Sequence, residues 1–229
     1  QNHFNCPIVV AYPENLKNNV EAITIGDVDY VRPFIAFTSE ATISERMVRV
    51  CREKWGIPAS EVKAAVSRAW EEQERAKQDI RGEGARLLSE MRKSGGFGIV
   101  LAGRPYHTDP EIGHGIDKLA NQLGFVVVSE DSIYHLAEPA KVNVLNQWTY
   151  HSRLYAAAKY VTTQKDMQLV QLVSFGCGVD AITTDEVRDI LEAAGKFYTQ
   201  IKIDEITNLG AVKIRLRSLL GALEEKEGK

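Results

Sequence analysis

In the second part of the chain the apolar residues come in short runs, Phe97–Ala102, Phe125–Val128, Gln168–Val173 and Tyr198–Ile203, each the length of a strand. Segments of helical period lie between and after them: Ile112–Leu123, about Gln147–Thr163, Thr184–Ala194 and Leu209–Leu223. Short apolar runs alternating with amphipathic helices predict four parallel βα units, with the helices covering the sheet. Gly124 and Gly195 follow two of these helices, where a residue free to turn left-handed stops a helix.

The first 95 residues are less regular. Ile8–Ala11 and Phe34–Phe37 are strand candidates, followed by a helix over Ile43–Trp55 with Thr42 and Glu45 in capping-box spacing. After Gly56-Ile57-Pro58 a second helix is expected to turn Val62, Val66, Ala69, Gln73, Ala76 and Ile80 inward, because alternating steps of three and four keep one stripe on one side. Glu71, Glu72, Arg75, Lys77 and Asp79 fall on its other face and read as solvated charge. Gly82 and Gly84 each cost about 1 kcal/mol in a helix interior, so a bend is expected there, before Ala85–Lys93. Ser94-Gly95-Gly96 marks a boundary. The expected fold is α/β in two lobes: 1–95, an N-terminal α/β lobe with the long helix, and 96–229, a Rossmann-like or flavodoxin-like parallel sheet covered by helices.

Composition narrows the partners more than the fold. With 229 residues, 44% hydrophobic and 26% charged, the chain is globular; disorder, collagen and coiled coil are excluded. A net charge of −3 gives no basic field, so nucleic acid is not an expected partner. No apolar run approaches the ~20 residues of a membrane span, and the first residues lack a signal-peptide design, so a cytoplasmic protein with no membrane partner is expected. The three cysteines, Cys6, Cys51 and Cys177, are an odd number, widely separated, and read as reduced thiols or metal ligands rather than a disulfide framework. The chain opens on Gln, not Met, and is expected to be a fragment of a longer polypeptide.

In an open parallel sheet, ligands collect at the carboxyl ends of the strands. That rule selects Gly103-Arg104-Pro105-Tyr106-His107, Ser129-Glu130-Asp131-Ser132, Ser174-Phe175-Gly176-Cys177-Gly178 and Asp204-Glu205-Ile206-Thr207-Asn208. Cys177 stands between two glycines, which let backbone N–H groups approach its sulfur; a thiolate, a cluster ligand or a structural cysteine in a tight turn all fit. Cys6, before Pro7, fits a small core residue or a ligand. Cys51 lies on one helical stripe with Ile43 and Met47 and reads as core. No Cys-x-x-Cys pair exists, and His107 and His114 lack the short spacing of a zinc-binding helix, so zinc is not expected. Gly95-Gly96-Phe97-Gly98 stands before its strand and reads as a turn, not a phosphate loop. Arg104 and His107 either contact an anionic substrate or stay within their loop. Asp204 and Glu205 are adjacent, point apart if extended, and make a weak acid/base pair.

Four blocks together carry a resemblance: Cys6-Pro7-Ile8-Val9-Val10-Ala11-Tyr12-Pro13-Glu14, Gly103 to Glu111, Ser174 to Ala181, and Lys202 to Glu205 with Asn208-Leu209-Gly210-Ala211. They resemble the large CoA-substrate-specific enzyme activase proteins, in the portion similar to subunits of 2-hydroxyacyl-CoA dehydratases and benzoyl-CoA reductases. The resemblance implies an iron–sulfur redox module of Rossmann-like lobes, a [4Fe–4S] type in that family, with Cys6 and Cys177 as cluster ligands. Arg104 and His107 would be loop residues near the cofactor. It also implies ATP-coupled, low-potential electron transfer in anaerobic metabolism, beside an actin/hexokinase-like ATPase module in the same polypeptide and an acyl-CoA-using enzyme. The family pattern has a further cysteine upstream that this chain does not contain, so an empty or partial cluster site and no activity are expected of the fragment alone.

Three functional classes follow. The first is the redox fragment. The second is a non-redox module binding CoA or a nucleotide around Arg104, His107 and Ser129. The third is an interaction scaffold whose charged helix, from Ser60 to Lys93, docks the ATPase activator. Whether the intact protein is itself an enzyme or an electron donor to one stays open.

Overall fold

A computed structural model describes residues 4–174, 176–203 and 208–228. Phe175 and the run from Asp204 to Thr207, both within loops selected from sequence, lie outside the described residues. The chain forms two compact units, one of Gln1–Ala76 with Gln147–Thr149, the other of Lys77–Asn146 with Tyr150–Lys229.

The second unit is a parallel sheet of four strands, β1 (Gly98–Ala102), β2 (Val126–Ser129), β3 (Met167–Val173) and β4 (Tyr198–Lys202), in the order β2-β1-β3-β4. Register runs Gly98 beside Val126 and Met167, and Val173 beside Lys202. All seven residues of β3 are buried, as a central parallel strand requires when helices cover both faces. On one face Met167 and Leu169 pack with Val100, Leu154, Val187 and Leu88; on the other, Val170 and Leu172 pack with Ile99, Ile116, Ile201 and Leu216. This is the expected Rossmann-like or flavodoxin-like arrangement. The chain leaves β1 for one neighbour and later returns to β3 on the other side, so the sheet's direction of growth reverses between β1 and β3.

Helix bounds differ from the sequence reading for local reasons. Helix α5 is Ile116–Gln122, not 112–123, because His114 (φ 51°) and Gly115 (φ 72°) are both left-handed and hold the preceding residues in turns. Helix α6 is Thr149–Thr162 and α8 is Gly210–Glu227. Helix α7 begins at Gly178 rather than Thr184 and runs to Glu192, with Cys177 as its N-cap. Gly124 and Gly195 take the left-handed conformation expected of helix stops.

The first unit contains α1 (Pro7–Asn19), α2 (Glu21–Thr24), α3 (Glu40–Trp55) and the start of α4 (Ala59–Ser94). Neither strand candidate is a strand. Residues 8–11 are helical: Cys6 is extended at the N-cap, Pro7 sets φ at the first helical position, and Val10 N–H donates to Cys6 O. The run of β-branched residues there is overridden by that start signal. Residues 34–37 are irregular, with Phe34 held by Arg46, which donates to its carbonyl at 2.7 Å and lies over its ring. The cap of α3 is Ser39, whose Oγ accepts from Thr42 N–H, rather than the Thr42/Glu45 box. Cys51 is buried on α3 with Ile43.

Helix α4 is one continuous helix through Gly82 and Gly84. Val62 is buried as expected, but Ala69 and Ile80 are exposed; in the second unit the inward seam is Gly84, Leu88 and Met91. Glu71 is exposed, and Arg75 pairs with Glu72. Among the described residues no helix is long and apolar enough to cross a membrane.

Candidate functional site

The strand order reverses between β1 and β3, and the carboxyl ends of the strands at such a reversal are the place where open α/β sheets bind ligands. The loop after β1 begins at Gly103. A Cβ there would stand 2.4 Å from His107 Nδ1, so only glycine lets the loop fold back so tightly. Arg104 then caps a short 3-10 turn, Pro105–Thr108, with Pro105 at its first position. The Arg104 backbone N–H donates to His107 Nδ1 at 3.2 Å, which leaves the proton on Nε2, 3.0 Å from Ser174 Oγ. Ser174 follows β3, and its hydroxyl also lies 3.1 Å from the Tyr106 hydroxyl. The two loops are thereby tied together.

Beyond Ser174, Gly176 turns left-handed (φ 75°) and Cys177 caps α7 in an extended conformation. One turn into the helix, the buried Asp180 accepts two bonds on a single oxygen, from Arg104 Nη2 at 2.8 Å and from the Ser174 backbone N–H at 3.1 Å. The Arg104 side chain is 13% exposed, lies over the Tyr106 ring at 5.2 Å, and is within electrostatic reach of the Cys177 sulfur. Cys177 itself is half-buried.

Burial pushes His107 down to about 4, and the neighbouring Arg104 adds to the effect, so the imidazole is neutral at pH 7. Burial also lowers His151, on α6, which is within electrostatic reach of Asp180 and Arg104. Tyr106 is raised, chiefly by burial. A neutral histidine whose Nδ1 is occupied and whose Nε2–H donates does not deprotonate Ser174. Asp180 bonds Arg104 and a backbone amide instead of an imidazole. The cluster is therefore no acyl-transfer triad; it fixes a guanidinium, a thiol and a helix N-terminus at one sheet edge.

Arg104, His107 and Cys177, selected from sequence, thus meet at one sheet edge of the second unit. Ser129, at the end of β2, donates to Asp131. Beside it Glu130 is buried against Arg153 at 2.8 Å, and burial outweighs that cation, pushing its carboxyl up to about 7. Arg153 also lies over the rings of Tyr134 and Tyr150. Cys6 belongs to the first unit, where it is buried and caps α1. Asp204 and Glu205 lie outside the described residues. His114 bonds the Ile203 carbonyl at 3.1 Å. Among the described residues no group of three or more His, Cys, Asp or Glu side chains is gathered so as to hold a metal ion by itself.

Sequence reasoning gave Asp180, His151 and Glu130 no role. Asp180 had a usable signal, an acidic residue three positions after a glycine-flanked cap, the spacing of a capping box. His151 had none. Residues 1–133 match the family model described as CoA enzyme activase uncharacterised domain. No curated protein matches the chain, and no solved structure does.

Proposed function

The chain belongs to the CoA enzyme activase family defined by that uncharacterised domain, and from this premise we propose that it contributes Cys6 and Cys177 as ligands to an iron–sulfur cluster. The observation that carries the reading is the placement of the cysteines. Cys6 and Cys177 each cap a helix, followed by Pro7 and Gly178, while Cys51 is buried in the middle of α3. A helix N-terminus presents unpaired N–H groups and partial positive charge, which favour an anionic sulfur; Arg104 adds a full charge at Cys177. The donor set therefore fits a thiolate-ligated cluster. A four-thiolate cluster needs more ligands than these two, and the remainder would come from outside this chain.

A bound cluster would supply one-electron transfer at low potential. In this reading the chain is the portion of a CoA-substrate-specific activase similar to subunits of 2-hydroxyacyl-CoA dehydratases and benzoyl-CoA reductases. An actin/hexokinase-like ATPase module drives it, and an acyl-CoA-using enzyme takes the electron. The chain's own residues hold the sulfur and order its surroundings: Gly103 admits His107, His107 ties the β1 and β3 loops through Ser174, and Asp180 fixes Arg104.

Iron and acid-labile sulfide analysis of the full-length protein, purified and reconstituted without oxygen, tests this. Cys6→Ser and Cys177→Ser lose the cluster, whereas Cys51→Ser keeps it, because a hydroxyl is a far poorer iron ligand than a thiolate. Iron that survives Cys177→Ser, or disappears with Cys51→Ser, refutes the assignment. The switch-point position of Arg104 favours a second reading, a non-redox site for the phosphates of CoA or a nucleotide. Thermal stabilisation by CoA in iron-free protein, abolished by Arg104→Gln, would select it.

A further inference from the structure

We propose that Asp180 is a positioning residue that holds the Arg104 guanidinium near the start of α7, where Cys177 is the cap, so that Arg104 balances negative charge developed on the Cys177 sulfur. The inference rests on the reading of Cys177 as a ligand and adds what its neighbours do for it.

A guanidinium at the end of a long side chain has many rotamers, and an exposed arginine spends little time at any one contact. Arg104 is restrained on two sides. The Asp180 carboxylate takes its Nη2 at 2.8 Å and the Tyr106 ring lies under it. Asp180 is restrained in turn: it sits in the first turn of α7, 7% exposed, and the same oxygen accepts the Ser174 backbone N–H. Because Cys177 caps that helix, sulfur and carboxylate are carried by one rigid element while the cation comes from the loop after β1. Asp180 thus sets where the positive charge stands relative to the sulfur, although it carries the opposite charge itself.

That opposition makes the test sharp. If Asp180 acts only as a charge, removing it makes the surroundings of Cys177 more positive. If it acts by placing Arg104, removing it releases the guanidinium and makes them less positive. The ratio of alkylation rates with anionic iodoacetate and neutral iodoacetamide reads this field, because both reagents attack the thiolate and its abundance cancels. Cys177 is half-buried, while Cys6 and Cys51 are buried and serve as internal references. Rates at each cysteine are followed by peptide mass spectrometry on this chain without iron.

The ratio at Cys177 should fall about fivefold in Arg104→Gln, the factor produced by one unit charge some 4 Å away in a water-like medium. It should fall in the same direction in Asp180→Asn, which keeps the shape and can still accept from Ser174. Arg104→Lys, which keeps the charge but not the fork, should recover part of the loss. A rise in Asp180→Asn, or no change in Arg104→Gln, overturns the proposal. Should Arg104→Gln unfold by stranding Asp180, the Arg104→Gln/Asp180→Asn double variant removes both charges together, and an unchanged ratio there overturns the proposal equally. In full-length protein the same single variants should move the cluster's midpoint potential to more negative values at unchanged iron content. Absence of iron in the wild type would sink the cluster reading and leave the reagent ratio to decide the role of Asp180.

Discussion

Two glycines two positions apart on α4 should respond oppositely to the same substitution. At Gly82 an added Cβ meets nothing within 4 Å, so Gly82→Ala removes the helix penalty of glycine and should stabilise by about 0.5–1 kcal/mol. At Gly84 the same methyl would stand 2.6 Å from Ser132 Cβ and 2.8 Å from its Oγ. Ser132 cannot yield: it is 4% exposed, ends the 3-10 turn after β2, and donates to the Ser129 carbonyl at 2.8 Å. Overpacking of this kind costs about 1–3 kcal/mol, and the contact is close enough for the upper half of that range. Set against an intrinsic gain of about 1 kcal/mol, Gly84→Ala should destabilise by about 1–2 kcal/mol net. Urea unfolding of both variants, followed by the helical signal, should displace the midpoint in opposite directions. Adding Ser132→Gly to Gly84→Ala should recover part of the loss. If Gly84→Ala stabilises as much as Gly82→Ala, the close approach of α4 to the β2 loop is wrong.

Glu72→Ala should change stability by no more than about 0.5 kcal/mol, since its pair with Arg75 is exposed on both sides; a loss above about 2 kcal/mol in the same unfolding assay would mean that this face is covered. Gly103→Ala should cost more than about 2 kcal/mol, because its Cβ would displace the His107 ring; a near-neutral melting temperature refutes the packing of that loop. His107 has a folded value of about 4 against an ordinary value near 6.5, so the stability it contributes is complete above pH 6.5 and is lost as pH falls toward 4. The loss should be about 3 kcal/mol across that window and absent from His107→Gln in pH-dependent urea titrations. Glu130, raised from 4.5 to about 7, acts in the other direction, contributing most below pH 4.5 and losing it as pH rises to 7, so Glu130→Gln should steepen the acid-side slope.

The parallel sheet was legible because burial on both faces leaves an unmistakable apolar run, as in β3, and because Gly124 and Gly195 punctuate it. The first unit was not. In Ile8-Val9-Val10 the strand preference of β-branched side chains competes with the start signal of Cys6-Pro7, and periodicity offers no way to weigh them. On α4 a stripe drawn through Ala69 and Ile80 was as regular as the actual seam of Gly84, Leu88 and Met91; only the position of the sheet distinguishes them. Of the site, Arg104, His107 and Cys177 follow from the rule about strand ends. Asp180 and His151 come from α7 and α6, whose inward faces no strand-end rule reaches.

The bonds that build the site connect distant parts of the chain: Arg104 to Asp180 spans 76 positions, Tyr106 to Ser174 spans 68, and His107 to Ser174 spans 67. Neither loop holds this geometry alone, because closing so long an intervening segment is compensated only when β1 and β3 are already side by side. Occupancy of the site therefore reports on the whole sheet. A ligand bound there would protect not just its own loops but the slowest-exchanging amides of β1 and β3, by RT ln(1 + [L]/Kd). Conversely, a core lesion as remote as the far end of β3 would weaken binding simply by lowering the population in which both loops exist together.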